Sequence, residues 1–422
     1  MMGKRLRFRY GQTTLQVDLP GAHLLALPPM RSGRAVPNVS SAVAAALADP
    51  LNTPPLRELA RGRRDAVLLV PDRTRSIPLP QMLPPLLADL EAGGLGLEGV
   101  TIIVATGTHR PMTEGELCNH LGFDICSRFR VLNHDWLDRA SLTDLGWTSN
   151  GTPVVVNSVY YQADLKVALG SVKPHMVVGW GGGAKIVQPG VGGGATTGAT
   201  HWASASYMGR EITGRVENPI RHAIEAATDL SGLDFLLNGA SNLQGEMIGF
   251  CAGDFRGAFR RCVEMALAAN DYLFALDPPP QRADILLCGT AGVDMWNGGT
   301  TGMVMAEYLL KPGGTIVQFA PCSEGVSQRH PEVARFGYRP YRETQRLLET
   351  GQISDLVAAA HMVHSGRVLD ELGCRCILFS GSLAQEEVEG LNLQWAPSPQ
   401  AAVDLALEWE GAEATVYAVG AA

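Results

Sequence analysis

Apolar and polar residues alternate over the first twenty positions. Leu6, Phe8 and Tyr10 lie before Gly11-Gln12, and Leu15, Val17 and Leu19 lie after it. A period of two on either side of a glycine turn predicts a hairpin over residues 4–19. Further along, the pattern becomes one of short unbroken apolar runs. Ala66–Val70 leads into Pro71-Asp72-Arg73-Thr74-Arg75, Val100–Ala105 into Thr106-Gly107-Thr108-His109-Arg110, and Val167–Val172 into Lys173-Pro174-His175. Runs of this kind predict strands covered on both faces. Helical patterns separate them: Pro80–Leu90, a helix opened by the capping box Thr113-Glu114-Gly115-Glu116, and Asp254 through about Ala269 with an aspartate cap. Asp277-Pro278-Pro279-Pro280 interrupts any helix or central strand.

After the prolines the alternation restarts. Strands are predicted at Asp284–Cys288, Thr315–Ala320, Arg375–Ser380 and Ala414–Gly420. Helices are predicted up to Leu310, at Tyr341–Glu349, at Ser354–His364 and after Ser398-Pro399. The expectation is an α/β protein of two domains, each a largely parallel sheet flanked by helices. They are an N-terminal cofactor-binding and catalytic domain (1–276) and a smaller C-terminal domain (281–422) whose last residues are free to pack back on the first. The active site is expected in the cleft between them.

Composition narrows the function classes. The 422 residues carry 34 basic and 42 acidic side chains, a net charge of -8, which argues against nucleic acid as a partner. No apolar run is long enough for a membrane span, and the N-terminus has no apolar signal core, so a cytoplasmic protein is expected. The eight cysteines form no CxxC pair and read as buried free thiols in a reducing compartment. The chain has 48 glycines, about 11% of its residues, and much of the excess lies between about residues 170 and 200.

Ligands of parallel sheets bind beyond the carboxyl ends of the strands. Arg75, His109 and His175 each follow a strand-like run directly. Lys185 sits in Gly179-Trp180-Gly181-Gly182-Gly183-Ala184-Lys185, and a second glycine cluster, Gly190-Val191-Gly192-Gly193-Gly194, follows. An amine in such a loop can clamp phosphate, act as a base or tether a cofactor. The amides of Gly192, Gly193 and Gly194, with Thr196-Thr197, are candidate phosphate donors. The loop is neither a Walker A motif nor a dinucleotide fingerprint. His201 completes the loop histidines; His134 is the best placed of the others. Trp180 either shapes the pocket or packs in the core.

Taken together, Asp72-Arg73-Thr74-Arg75 with Pro78, Gly107-Thr108-His109-Arg110-Pro111-Met112, Lys173-Pro174-His175, Gly181 through Gly190, and Thr200-His201 resemble the nickel-pincer lactate racemase family. Leu310-Lys311-Pro312-Gly313-Gly314-Thr315-Ile316 and Cys322-Ser323-Glu324-Gly325 look like that family's C-terminal domain. The resemblance implies a nickel pyridinium-3-thioamide-5-thiocarboxylate mononucleotide attached covalently at Lys185, with His201 as the protein ligand to nickel. It implies His109 and His175 as an acid/base pair, Arg75 orienting the substrate, and Asp72 and Thr74 supporting the cofactor. The implied reaction is racemisation or epimerisation of a 2-hydroxy acid by reversible hydride transfer. The implied partners are a small 2-hydroxy acid or sugar acid and the proteins that make the cofactor.

One stretch departs from the family. Lactate-type members carry a Tyr-Gln pair and then a lysine that helps hold the substrate carboxylate. Here Asp294-Met295-Trp296-Asn297-Gly298-Gly299-Thr300-Thr301 puts Trp296 and Asn297 in place of the pair and Thr300 in place of the lysine. The expected substrate is therefore not lactate itself. Two other readings of the residues stay open: a pyridoxal-phosphate-like enzyme with Lys185 as Schiff base, and a non-catalytic carrier of the nickel nucleotide.

Overall fold

A computed structural model of the chain describes residues 4–20 and 23–420. The ends of the two expected domains, residues 1–3 and 421–422, lie outside the described residues. The chain forms two compact units: Met30–Ala203 with Ile212–Tyr272, and Met1–Pro29 with Ser204–Glu211 and Leu273–Ala422.

The unit built on residues 30–272 holds a six-stranded sheet. In spatial order its strands are Met247–Gly253, Phe235–Ser241, Leu165–Val172, Ala66–Pro71, Val100–Ala105 and Arg130–Asn133. All neighbours are parallel except the first pair, which is antiparallel. The central strand Ala66–Pro71 is buried at every position, as a strand covered on both faces must be. Leu68, Val70, Ile102, Val104, Val167 and Leu169 share a core with Leu79, Leu83, Leu86 and Leu90 of the helix Leu79–Ala92. The predicted caps form. Thr113 makes a reciprocal capping box with Glu116, and Asp254 accepts from the amides of Arg256 and Gly257.

The other unit holds a second six-stranded sheet, parallel throughout: Gln394–Trp395, Arg375–Phe379, Leu310–Phe319, Ala283–Gly289, Thr415–Val419 and His23–Leu24. Ser398 caps the helix Pro399–Glu410, which has proline at its start. The hairpin Lys4–Tyr10/Thr13–Leu19 forms as predicted but belongs to this unit, whereas the sequence grouping put it with residues 1–276. Its apolar face, Leu6, Phe8, Val17 and Leu19, needs cover, and finds it in Ile285, Leu287, Val317 and Phe319. Phe8 meets Phe319 with ring centroids 5.1 Å apart. The last strand, Thr415–Val419, stays in this unit between Ala283–Gly289 and His23–Leu24. Among the described residues no helix is long and apolar enough to cross a membrane.

Candidate active site

Three adjacent strands deliver the first side chains. Ala66–Pro71 lies between Val100–Ala105 and Leu165–Val172, with Pro71 opposite Ala105 and Leu69 opposite Ala168. The segments that follow, 72–75, 106–109 and 173–175, therefore leave the sheet side by side. Asp72 turns back on its own loop: its Oδ1 accepts from the Thr74 amide at 3.1 Å and the Thr74 hydroxyl at 2.5 Å. Its Oδ2 accepts from His109 Nδ1 at 2.6 Å. Gly107, at φ +58°, makes the turn that brings His109 there, and its amide donates to Gly190 O at 2.9 Å. Asp72 is almost fully buried. Burial alone raises its pKa, but His109, Arg75 and Thr74 together hold it well below the usual carboxylate range. An ionised Asp72 fixes the proton of His109 on Nδ1 and leaves the lone pair on Nε2, the arrangement of an oriented general base.

His175 has the opposite polarity. It pairs with Gly179 in a two-stranded turn, and its Nδ1 accepts from the Val177 amide at 3.2 Å. In the neutral ring the proton then lies on Nε2. Burial, followed by the charges of Lys185, Arg75, His201 and Arg221, pushes its pKa well below the ordinary imidazole value, so it is neutral at pH 7. His201 lies on the helix Gly194–Ser204, and its Nδ1 donates to Thr197 O at 2.9 Å, so Nε2 carries its lone pair. The same field that acts on His175 thus joins Arg75, Lys185, His201 and Arg221 in one site.

Lys185 lies in a single 3₁₀ turn, Gly183–Ile186. Gly183, at φ +61°, packs so close to the Phe259 ring that a Cβ there would fall 2.8 Å from it. Burial, then Arg75 and Arg221, lower the Lys185 pKa from 10.5 to about 7, against a small opposing pull from Asp72. At neutral pH a large fraction of this amine is uncharged and nucleophilic.

Sequence reasoning missed two cations here. Arg221, fully buried on the helix Pro219–Ser231, donates to Gly182 O at 3.2 Å, to Val178 O at 3.4 Å and to Trp180 O. Its guanidinium stacks on Phe259, 4.1 Å from the ring centroid. Arg221 therefore braces the glycine loop and charges its surroundings. The signal was present in the spacing: Arg221, Glu225 and Thr228 lie at i, i+4 and i+7 on the same buried face as Ile220 and Ile224. Lys173 is the second. Its pKa is lowered by burial and then by Arg75, yet the residue retains exposed surface.

Other expected site residues have different work. The Thr196 hydroxyl bonds both the amide and the carbonyl of Val155, at 2.8 and 3.3 Å. The amides of Gly192 and Gly193 donate to Pro189 O and Val155 O. These groups, read as phosphate donors, hold the loop in the fold; Gly194, the first residue of its helix, and the buried Thr197 hydroxyl, which bonds none of the described groups, keep the positions expected of donors. Trp180 is fully buried, donates to Gly214 O at 2.8 Å and packs edge-on against Tyr272 at 5.5 Å, so it is a core residue and not a pocket wall. His134 is also structural: it bonds Gly192 O at 2.9 Å, and burial lowers its pKa to about 4. Trp296, Asn297 and Thr300 belong to the other unit. There Asp294 accepts from both the amide and the side-chain nitrogen of Asn297, and Thr300 is buried at the start of the helix Thr301–Leu309.

Residues 10–212 match the family model for the lactate racemase N-terminal domain. The lactate racemase of Lactiplantibacillus plantarum is 30% identical over 284 residues, covering 66% of this chain and 65% of that protein. The lactate racemase of Thermoanaerobacterium thermosaccharolyticum is 28% identical over 322 residues, covering 75% and 74%. These matches support the lactate racemase family. The fold agrees. The lactate racemase apoprotein structure from T. thermosaccharolyticum superposes with a TM-score of 0.81 at 23% identity, covering 99% of this chain and 98% of that one. A Thermotoga maritima protein superposes at 0.69 with 20% identity, covering 85% and 91%.

The residues present fit the nickel nucleotide that the lactate racemase resemblance implies. Among the described residues no cluster of three or more histidine, cysteine or acidic side chains could hold a metal. His201 Nε2 offers one protein ligand, and Lys185 offers a nucleophilic amine. Arg75, Lys173 and Arg221 outnumber Asp72 around Lys185, with Glu225 and Glu217 offsetting Arg221 in part, and positive charge suits a phosphate-bearing ligand.

The amine makes a direct test possible in the apoprotein. Acylation of Lys185 by an amine-reactive ester, followed peptide by peptide across a pH series, should rise to half its maximum near pH 7, while unperturbed surface lysines respond only toward pH 10. Arg75→Met should move the Lys185 midpoint upward. A midpoint shared with the surface lysines would contradict the electrostatics described.

Proposed function

We propose that the chain is a racemase or epimerase of a 2-hydroxy acid other than lactate itself, acting with the nickel-pincer nucleotide tethered at Lys185. A sugar acid inverted at C2 belongs to the same class. The observation that carries the proposal is the Asp72–His109 pair, 2.6 Å apart, at a strand end in the same charged site as Lys185. When bound, the group supplies an acceptor that takes hydride from C2 and returns it to either face. Lys185 would hold it through the acylated amine and His201 would ligate the nickel.

The chain's own residues then handle the carboxylate and the hydroxyl proton. Arg75 pins an anionic end of the ligand through paired hydrogen bonds. His109 Nε2 takes the hydroxyl proton as C2 is oxidised, and buried Asp72 stabilises the imidazolium that results. His175, neutral with its proton on Nε2, donates a hydrogen bond to the substrate oxygen. To act as base for the opposite enantiomer its ring must release the Val177 amide, a contact of only 3.2 Å. Trp296 and Asn297 are assigned to the substrate, and Thr300 in place of a lysine removes one cation from its carboxylate. Proteins of cofactor synthesis are the expected partners.

The test uses protein produced with the cofactor-making enzymes and a panel of 2-hydroxy acids in D2O. For at least one acid, optical rotation should change to a new constant value, zero for an acid whose only stereocentre is C2, while C2 keeps its original hydrogen. Deuterium at C2 would overturn the hydride route, and unchanged rotation across the panel would favour a carrier. Asp72→Asn should lower kcat by about 10²–10⁴-fold, the range of a lost general base.

A further inference from the structure

The Asp72–His109 bond joins two loops, and an arginine follows each partner: Arg73 after Asp72, Arg110 after His109. Both arginines meet one carboxylate of the same unit. Glu116 takes two parallel bonds from the Arg110 guanidinium, Nη2 to Oε1 at 2.7 Å and Nη1 to Oε2 at 2.8 Å, and its Oε1 lies 3.4 Å from Arg73 Nε. The same residue closes the capping box of the helix Glu114–Leu121: its Oε2 accepts from the Thr113 amide at 2.8 Å, and its amide donates to Thr113 Oγ1 at 3.3 Å. Glu116 thus ties the helix start to the loop after Ala66–Pro71 and to the loop after Val100–Ala105.

Neighbouring contacts hold the helix in turn. One turn beyond Glu116, His120 Nε2 donates to Pro71 O at 2.8 Å, directly before Asp72. Asn133, at the end of the strand Arg130–Asn133, bonds both the amide and the carbonyl of Met112 at 2.9 Å, which fixes the chain after Arg110. Glu116 stays charged in this setting: bonds from Arg110 first, then the Thr113 amide and Arg73, bring its pKa down to about 2 against the opposing effect of burial. A bidentate guanidinium–carboxylate pair holds its members in a definite geometry as well as adding energy. The Asp72–His109 contact needs such geometry, because a displacement of about 1 Å at a reacting group costs on the order of 10²-fold in rate.

Resting, as a statement about catalysis, on the function proposed above, we infer that Glu116 is a positioning residue: by gripping the arginines that follow Asp72 and His109, it sets how those two side chains meet and so keeps the neutral ring of His109 protonated on Nδ1. The role differs from helix capping. Glutamine at this position closes a capping box as glutamate does. Its amide nitrogen only donates, so it cannot take two parallel bonds from a guanidinium. Glu116→Gln therefore removes the grip on the arginines and leaves the helix start intact.

The apoprotein gives a reading that needs no activity. In nitrogen NMR of isotope-labelled histidine, at a pH where the ring is neutral, the His109 signals (assigned by their loss in His109→Gln) should show Nδ1 protonated and Nε2 bare in the wild type. Glu116→Gln should show a mixture of the two tautomers. Arg110→Lys keeps the charge and the capping box but loses the paired bonds, so it should do the same, and it stands in if Glu116→Gln does not fold. In the nickel-loaded enzyme Glu116→Gln should lower kcat by roughly 10-fold to 10²-fold. With Asp72→Asn already present the further loss should be less than about twofold, since substitutions acting through one contact do not add. His109 ring signals unchanged in both variants, or equal kcat losses in the two backgrounds, would overturn the inference. If no 2-hydroxy acid is turned over, the proposed function fails, and the tautomer reading alone decides the role of Glu116.

Discussion

A single amine surrounded by cations governs the chemistry available here. Lys185 sits in a tight 3₁₀ turn with Arg75 and Arg221 acting on it and only Asp72 opposing them. A buried ammonium without a partner is costly, and the molecule meets that cost by letting the amine lose its proton near neutrality. The same field keeps His175 neutral. One electrostatic imbalance therefore prepares a nucleophile, fixes the charge state of a second functional group and leaves a net demand for an anion. Asp72 escapes this imbalance by bonding to His109 Nδ1, and the bond fixes the orientation of that ring.

The scaffold makes that imbalance tolerable. Three adjacent parallel strands fix the points from which residues 72, 109 and 175 depart. The glycine loop is held from several sides: Arg221 binds its carbonyls, Thr196 and Gly193 bond Val155, His134 bonds Gly192 O, and Phe259 fills the space beneath Gly183. Much of the glycine content thus serves close backbone packing, and the ligand is met by the few side chains that the packed loop projects.

How far this was legible in the sequence follows from how local each signal is. Strand ends were readable because continuous apolar runs stop abruptly at polar residues, so Arg75, His109 and His175 stood out. Helix caps at Thr113, Asp254 and Ser398 were readable because their partners lie within three residues. The fold partners of Thr196 and of the Gly192 and Gly193 amides were not legible. Thr196 and Gly193 have Val155 as partner, about forty positions earlier, and no local pattern announces it. Trp180 was ambiguous for the same reason, its bond reaching Gly214. The N-terminal hairpin was clear as a hairpin, but its place in a core with Val317 and Phe319 depends on pairing across the length of the chain. Arg221 was passed over because an arginine on a helix reads as surface unless the apolar residues beside it are seen to define the buried face.

Whether Lys185 tethers a cofactor is decided by mass spectrometry of the peptide containing it. Protein made alongside the cofactor-synthesis enzymes should show that peptide heavier by the mass of the thioacylated nucleotide, with about one nickel per chain, and a Lys185→Ala protein should carry neither. An unmodified Lys185 peptide in protein that racemises a 2-hydroxy acid would contradict the tether.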